Sequence, residues 1–195
     1  ILGERCVAEG LIYPMFANDP NKYIIKRENV PKLAYINIGV DFGGNKSNHA
    51  FVATGIDKTF TNVYVLKSWS LPATGKTVEY VDAMYDKFVK SVVSEYGFAG
   101  NTFADSAEQT IINTMRTKHS AIYNSIKNPI IDRIRCTDLL ISSGRFFIVD
   151  GDNDAIINGL STAVWDGKKL DDTRLDNGTS DIDILDAFEY SWEYY

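Results

Sequence analysis

One short stretch of the chain reads Ala34-Tyr35-Ile36-Asn37-Ile38-Gly39-Val40-Asp41-Phe42-Gly43-Gly44. Apolar and polar residues alternate through it, and this period of two predicts a β-strand with one face in a core. Asp41 stands where the alternation stops and two glycines follow. We therefore expect its carboxylate at the carboxyl edge of a sheet, where binding sites gather. A simple turn that begins at Asp41 explains the same residues, so this stretch alone leaves both interpretations open.

Two further strands follow directly. Residues 50–56 and 62–69 are short, rich in β-branched and aromatic residues, and bounded by turn-forming residues at 45–48 and 57–61. Such spacing is typical of strands joined by short connections. The sequence therefore predicts that the first three strands form an antiparallel meander.

The hydrophobic period then changes from two to between three and four. From Val78 to Tyr96, apolar residues recur at 78, 81, 85, 88, 92 and 96, which predicts an amphipathic helix ending before Gly97. The pattern next predicts a strand over 100–105 that ends in Asp105, a helix over 106–118 and a strand over 120–124. It continues with a helix from Pro129 to Leu140, a strand over 145–149, a helix over 152–163, a polar loop over 165–179 and a last helix over 181–195.

This order of elements predicts a topology. A crossover helix after the third strand can return the chain so that the fourth strand lies parallel to the first and beside it. Asp41 and Asp105 would then be neighbours. The predicted fold class is α/β, a ribonuclease H-like mixed sheet with three antiparallel strands and then parallel strands, flanked by helices. We expect this domain to span residues 34–195, with residues 1–33 as a linker-like N-terminal segment packed on it.

The last helix adds two more carboxylates. Asp183 and Asp186 are three residues apart and share one helix face, whereas Asp181 is expected to cap the helix. With Asp41 and Asp105 they would form a cluster whose mutual repulsion calls for cations, and oxygen ligands favour Mg²⁺ or Mn²⁺. Two such ions are the usual means of cutting a phosphodiester. Taken singly, Asp183 and Asp186 are equally explained as a solvated acidic helix start.

Composition limits the class of protein. The chain has 195 residues, a net charge of −6, and two widely spaced cysteines, Cys6 and Cys136, which we expect to be small buried hydrophobes. No run of about 18 apolar residues is present, so we expect no membrane span and a soluble intracellular protein. The net charge argues against a general nucleic-acid coat but not against a nuclease, since metal-binding carboxylates count as negative. The first residue is not Met, which suggests a fragment of a longer protein.

Several motifs carry a resemblance to a known family. They are a strand that leads to an acid at 38–43, an acid after a later strand at 103–108, and an acid three residues before Asp186 and Ala187. The segments 127–134 and 165–168 also fit. In this order and spacing the sequence resembles the C-terminal nuclease domain of the large terminase subunit of tailed bacteriophages, from Glu9 to the end. Relatives often carry His where this sequence has Asp183.

The resemblance implies a metal-dependent DNA endonuclease that cuts concatemeric viral DNA at the start and end of packaging. It implies Asp41, Asp105, Asp183 and Asp186 as catalytic metal ligands for Mg²⁺ or Mn²⁺. The implied partners are double-stranded DNA, an ATPase motor domain upstream, the portal protein and the small terminase subunit. The implied location is the host cell cytoplasm, at the procapsid. No phosphate-cradling GxxxxGK[ST] motif occurs in these 195 residues.

Other functions remain open at this point. Another ribonuclease H-like nuclease, of the resolvase or transposase type, would use the same carboxylates. An actin-like kinase fragment is suggested by residues 40–46, which resemble a first phosphate loop, but a second phosphate loop and an adenosine motif are missing. A third possibility is an inactive module of the same fold that docks DNA or the portal.

Candidate contacts to DNA complete the sequence-based expectations. His49 follows the glycine turn and could orient a phosphate or a water, although a surface or turn histidine is the simpler interpretation. Basic side chains that could contact the DNA backbone, with a solvated surface as the alternative for each, are Lys46, Lys118, Arg133, Arg135, Lys168 and Lys169.

Overall fold

The computed structural model describes residues 10–44, 47–168 and 173–194. Seven strands in this part of the chain form one mixed sheet, in the order β1-β7-β4-β3-β2-β5-β6. The strands are β1 (Ile24–Ile25), β2 (Leu33–Asp41), β3 (Asn48–Asp57), β4 (Val63–Pro72), β5 (Thr102–Ala104), β6 (Ile122–Asn124) and β7 (Phe146–Val149). Strands β2, β3 and β4 form the predicted antiparallel meander, and the other pairings are parallel. The predicted ribonuclease H-like fold class is confirmed.

Helices cover both faces of this sheet. They are α1 (Pro14–Asn18), α2 (Val78–Tyr96), α3 (Gln109–Arg116), α4 (Ile130–Ser142), α5 (Asp154–Thr162) and α6 (Ile182–Trp192). Apolar residues of α2 and α3 form the core on one face, and those of α1, α4, α5 and α6 form the core on the other. None of the helices in the described residues is long and apolar enough to cross a membrane.

The long helix α2 shows how the local sequence sets an element. The Thr77 hydroxyl accepts a hydrogen bond from the Tyr80 backbone N–H and caps the start of the helix. Gly97 ends it with a left-handed backbone (φ 87°), a conformation that glycine adopts without strain. The predicted bounds of 78 and 96 are confirmed because the apolar period and both caps agree.

Strand β2 differs from its prediction in one respect. Its polar face is solvated only at Tyr35, since Asn37 and Asp41 are only 2% and 8% exposed. Helix α6 lies over this face, and Gly39 permits the close approach: a β-carbon at that position would stand 1.7 Å from the Ala187 carbonyl oxygen. The prediction of a single buried face is therefore wrong, because an element distant in sequence covers the other face.

The N-terminal segment is more ordered than its composition suggests. A linker-like segment would have no regular structure, but Pro14 occupies the first turn of the helix α1, a position that proline favours. Phe16 and Tyr23 pack on Phe146 of β7, and β1 pairs with the same strand. This segment therefore supplies core residues and a strand to the sheet. The division of the chain at residue 33 stays a prediction.

The predicted role of the cysteines is wrong for Cys136, which is exposed on α4. The buried positions of this helix are Arg133, Ile134, Thr137 and Ile141, and Cys136 falls on the opposite side. Cys6 lies outside the described residues.

Candidate metal centre

Two aspartates leave the sheet side by side. Strands β2 and β5 pair in parallel with Val40 opposite Ala104, and the next residue in each strand direction is an aspartate, Asp41 or Asp105. The Asp105 backbone N–H donates to the Val40 carbonyl oxygen at 3.0 Å, which extends the ladder to this point. The topology thus brings together two of the sequence-predicted site residues.

Helix α6 brings the other two to the same edge. Asp181 caps it, as predicted, by accepting the Ile184 backbone N–H at 3.2 Å. One turn of helix then carries Asp183 and Asp186. The Asp183 carboxylate accepts the Asn48 backbone N–H at 2.5 Å, at the start of the strand that pairs with β2. The start of α6 is therefore fixed against the strand next to Asp41.

The carboxylates form one electrostatic cluster. Burial raises the pKa of Asp41 well above its ordinary value, and the charges of Asp186, Asp183 and Asp105 raise it further. Burial is also the main cause that raises the pKa of Asp183 to about 6, although the Asn48 hydrogen bond acts in the opposite direction. Negative groups held this close are stabilised by cations.

Two buried arginines neutralise part of the cluster, an arrangement that the sequence pattern does not predict. Asp186 Oδ1 accepts from Nη1 of both Arg133 and Arg174, each at 2.9 Å. Behind it, the fully buried Glu189 pairs with both arginines and accepts from the Tyr13 hydroxyl at 3.3 Å. Arg133 was a candidate for a DNA contact or, more simply, for a solvated surface; the solvated-surface interpretation is wrong, because its side chain is 6% exposed and paired inside the domain.

Only part of this network had a signal in the sequence. Glu189 follows Asp186 by three residues, so helical spacing places both on one face of α6. Arg174 comes from the polar loop after α5, where no period exists to indicate burial. Its contacts depend on a strand-like bridge between Trp165 and Arg174 that could not be foreseen from local pattern.

The centre also contains a lysine. Lys127, in the loop between β6 and α4, forms an ion pair with Asp105 Oδ1. Its backbone N–H and that of Asn128 donate to the Glu193 carboxylate, at 3.2 Å and 2.9 Å. The loop is therefore tied to the end of the same helix that carries Asp183 and Asp186.

The donor set suits a hard divalent cation, since it consists of carboxylate oxygens in a negative cluster. Within residues 10–44, 47–168 and 173–194, however, no group of three or more Asp, Glu, His or Cys side chains is arranged to hold a metal ion. Three of the four cluster aspartates have other partners: both arginines pair with Asp186, Lys127 pairs with Asp105, and the Asn48 backbone N–H donates to Asp183.

The remaining candidates that lie in the described part of the chain form no hydrogen bond or ion pair with the four aspartates. His49 is buried rather than in a surface turn, its ring lies against Phe42, and burial lowers its pKa. Lys118 pairs with Asp82 of α2 at 2.6 Å. Arg135 and Lys168 are exposed, while Lys46 and Lys169 lie outside the described residues.

Solved structures of phage large terminases resemble this one. The large terminase of a thermophilic bacteriophage, in complex with ADP, matches with a TM-score of 0.75 and 20% identity over 100% of this chain and 48% of that chain. The nuclease domain of the large terminase from bacteriophage SPP1 with bound Mn matches at 0.63 and 18% identity, over 88% and 94% of the two chains. The chain has the fold of a large terminase nuclease domain.

Further matches agree with this terminase nuclease fold. The large terminase nuclease of thermophilic phage G20c with bound magnesium matches at a TM-score of 0.63 and 15% identity, over 96% of this chain and 99% of that chain. The chain thus spans less than half the length of the ADP-bound large terminase but nearly the whole of isolated nuclease domains. No protein-family model and no curated protein matches the sequence.

Proposed function

We propose that this chain is the metal-dependent DNA endonuclease domain of a viral packaging terminase, which cuts concatemeric genomic DNA at the initiation and termination of packaging. One observation carries the proposal. Asp41 and Asp105 leave adjacent parallel strands side by side, and α6 adds Asp183 and Asp186 to the same cluster. The fold in which this occurs is that of terminase nuclease domains.

In this proposal Asp41, Asp105, Asp183 and Asp186 are the catalytic residues and hold two Mg²⁺ or Mn²⁺ ions. Support comes from their oxygen donors, from the negative cluster they form, and from the Mn and magnesium bound in the SPP1 and G20c nuclease structures. A bound divalent ion supplies Lewis acidity and lowers the pKa of a water molecule. The role of each aspartate remains part of the proposal.

The side chains of the chain itself would bind the metal ions and hold the metal ligands in a fixed orientation. Hydrolysis joins the oxygen of one water molecule to phosphorus, breaks one phosphorus–oxygen bond to sugar, and leaves a proton on the departing oxygen. Arg133 and Arg174 fix the rotamer of Asp186, because both hold the same oxygen and are themselves held by Glu189. Such preorganisation keeps a ligand in place without cost at the moment of reaction.

The proposed partners are those that the resemblance to phage terminases implies. They are double-stranded DNA, an ATPase motor domain joined upstream, the portal protein and the small terminase subunit. The thermophilic-phage large terminase that matches this chain is about twice as long and was solved with ADP, which supports a motor domain in that protein. We place the activity in the host cell cytoplasm, where packaging takes place.

Cleavage of supercoiled plasmid tests the proposal. The chain is incubated with plasmid and Mn²⁺, Mg²⁺ or EDTA, next to Asp41→Ala, Asp105→Ala and the control Asp86→Ala, which changes an exposed aspartate of α2. We expect nicking and linearisation with metal, lost in the first two variants and kept in the control. Absence of cutting with either metal, or equal cutting by all variants, would contradict the proposed nuclease function. Cleavage of branched DNA but not of plasmid would favour a resolvase.

A further inference from the structure

Lys127 differs from the other cations of the carboxylate cluster. Three basic side chains in the described residues pair with this cluster. Two of them, Arg133 and Arg174, are buried, with 6% and 2% of their side chains exposed. Both are committed to Asp186 and Glu189. Lys127, with 36% of its side chain exposed, is therefore the one that can touch a bound molecule while it remains beside Asp105.

The backbone that carries Lys127 is held in a costly conformation. Its φ is 57°, in the left-handed region, where a non-glycine residue loses roughly 1 kcal/mol or more. The Glu193 carboxylate compensates by accepting both the Lys127 and the Asn128 backbone N–H. Glu193 is itself nearly buried, with 1% of its side chain exposed. A long charged side chain is thus kept where glycine would fit more easily.

The chemistry of the centre supplies a reason for such a lysine. A phosphodiester is an anion, and the four aspartates would repel it unless positive groups stand at the rim of the cluster. An ammonium group next to Asp105 can donate to a non-bridging phosphate oxygen, as lysines do at phosphate sites.

We propose that Lys127 binds the scissile phosphate in this centre, and that its ammonium group shares the Asp105 carboxylate with a divalent cation. The inference rests on the proposed nuclease function. It has two separable consequences, because the same ammonium group attracts a phosphate and repels a metal ion. Removing it weakens catalysis but strengthens binding of metal in the absence of DNA.

The experiment measures both consequences on the full 195-residue chain. Mn²⁺ binding is measured without DNA by isothermal titration calorimetry, and plasmid cleavage is measured at saturating Mn²⁺. The variants are Lys127→Met and, as the matched control, Lys90→Met, which removes another lysine paired to an aspartate on the exposed face of α2. Lys127→Gly is the second variant, because glycine accepts the left-handed backbone and keeps the loop in place.

We expect Lys127→Met and Lys127→Gly to bind Mn²⁺ about 3- to 10-fold more tightly, since a partly exposed like charge a few ångströms away costs about 1 kcal/mol. We expect their cleavage rate to fall about 100-fold, the usual loss when one group that stabilises transition-state charge is removed. Lys90→Met should match the parent chain in both assays, and all variants should unfold within a few degrees of it.

The outcomes separate this inference from the proposed function. If the parent chain cuts plasmid and Lys127→Met cuts it equally well, or binds Mn²⁺ no more tightly, the inference about Lys127 is overturned while the nuclease stands. If no form of the chain cuts plasmid, the nuclease falls and phosphate binding by Lys127 falls with it. Tighter Mn²⁺ binding together with slower cleavage supports both.

Discussion

Gly39 of β2 lies directly beneath Ala187 of α6, so close that a β-carbon on Gly39 would stand 1.7 Å from the Ala187 carbonyl oxygen. This contact sets the height of α6 above the sheet, and therefore the distance of Asp183 and Asp186 from Asp41. No flexible side chain can move aside here, because the clashing atoms belong to the backbone.

Gly39→Ala should therefore displace α6. We expect a loss of about 2–3 kcal/mol in the free energy of unfolding, typical of overpacking, and a large loss of metal-dependent cleavage. Urea unfolding and the plasmid assay check this. Gly44→Ala is the control, because a β-carbon there meets nothing within 4 Å; equal effects of the two substitutions would show that the close approach is not what matters.

The arginine network predicts a second effect on stability. Arg174→Met leaves the fully buried Glu189 with one cation fewer, and breaking a buried ion pair typically costs about 3–5 kcal/mol. Arg135→Met removes an exposed arginine that lies 3.6 Å from Asp132, and should cost less than about 1 kcal/mol. Chemical denaturation measures both, and similar losses would contradict the structural role of Arg174.

Removal of a like charge from the centre should stabilise the chain. In EDTA we expect Asp41→Asn to unfold at a higher temperature than the parent, because Asp41 is buried among Asp105, Asp183 and Asp186. A gain of about 1 kcal/mol corresponds to about 2–4 °C at this chain length. Added Mn²⁺ should raise the unfolding temperature of the parent but not of the variant. Thermal scans that show Mn²⁺ stabilising both equally would count against Asp41 as a ligand.

Asp57 gives a prediction that depends on pH. Burial raises its pKa, but the Thr61 backbone N–H and the side chains of Thr59 and Asn62 together lower it below its ordinary value. A lowered pKa in the folded state means that the charged carboxylate adds stability above about pH 4, and that this stability is lost as pH falls through the folded-state pKa.

Asp57→Asn should accordingly cost about 1–3 kcal/mol at pH 7 and clearly less at pH 3, because charge-assisted hydrogen bonds are lost only where the carboxylate is ionised. Urea unfolding at the two pH values provides the comparison. Asp86→Asn, at an exposed position, serves as the control and should show little change at either pH. A cost for Asp57→Asn that is the same at both pH values would refute the argument.

The sequence was sufficient to predict the structure where the pattern that determines it is local. The bounds of α2 followed from its apolar period and its glycine end, and the pairing of β2 with β5 followed from the handedness of crossover connections. The adjacency of Asp41 and Asp105 needed no more than this, since parallel neighbours end at the same edge of a sheet.

The sequence was insufficient to predict burial and side-chain pairing where segments distant along the chain determine them. Nothing in β2 indicates that α6 covers its polar face, and nothing in the loop around Arg174 indicates an ion pair with Glu189. The short helix α1 and strand β1 were also missed, because five and two residues are too few to show a period. Their positions depend on packing against β7, which lies far along the chain.

Helix α6 follows every strand of the sheet in the chain, yet it carries Asp183 and Asp186 and, just beyond its end, the Glu193 that holds the Lys127 loop. During translation the acids on β2 and β5 are therefore synthesised long before their partners. A nascent chain still lacking α6 has neither the second pair of aspartates nor the cover over β2. In the proposed nuclease, the ability to cut would therefore depend on α6 having been synthesised and docked on the sheet.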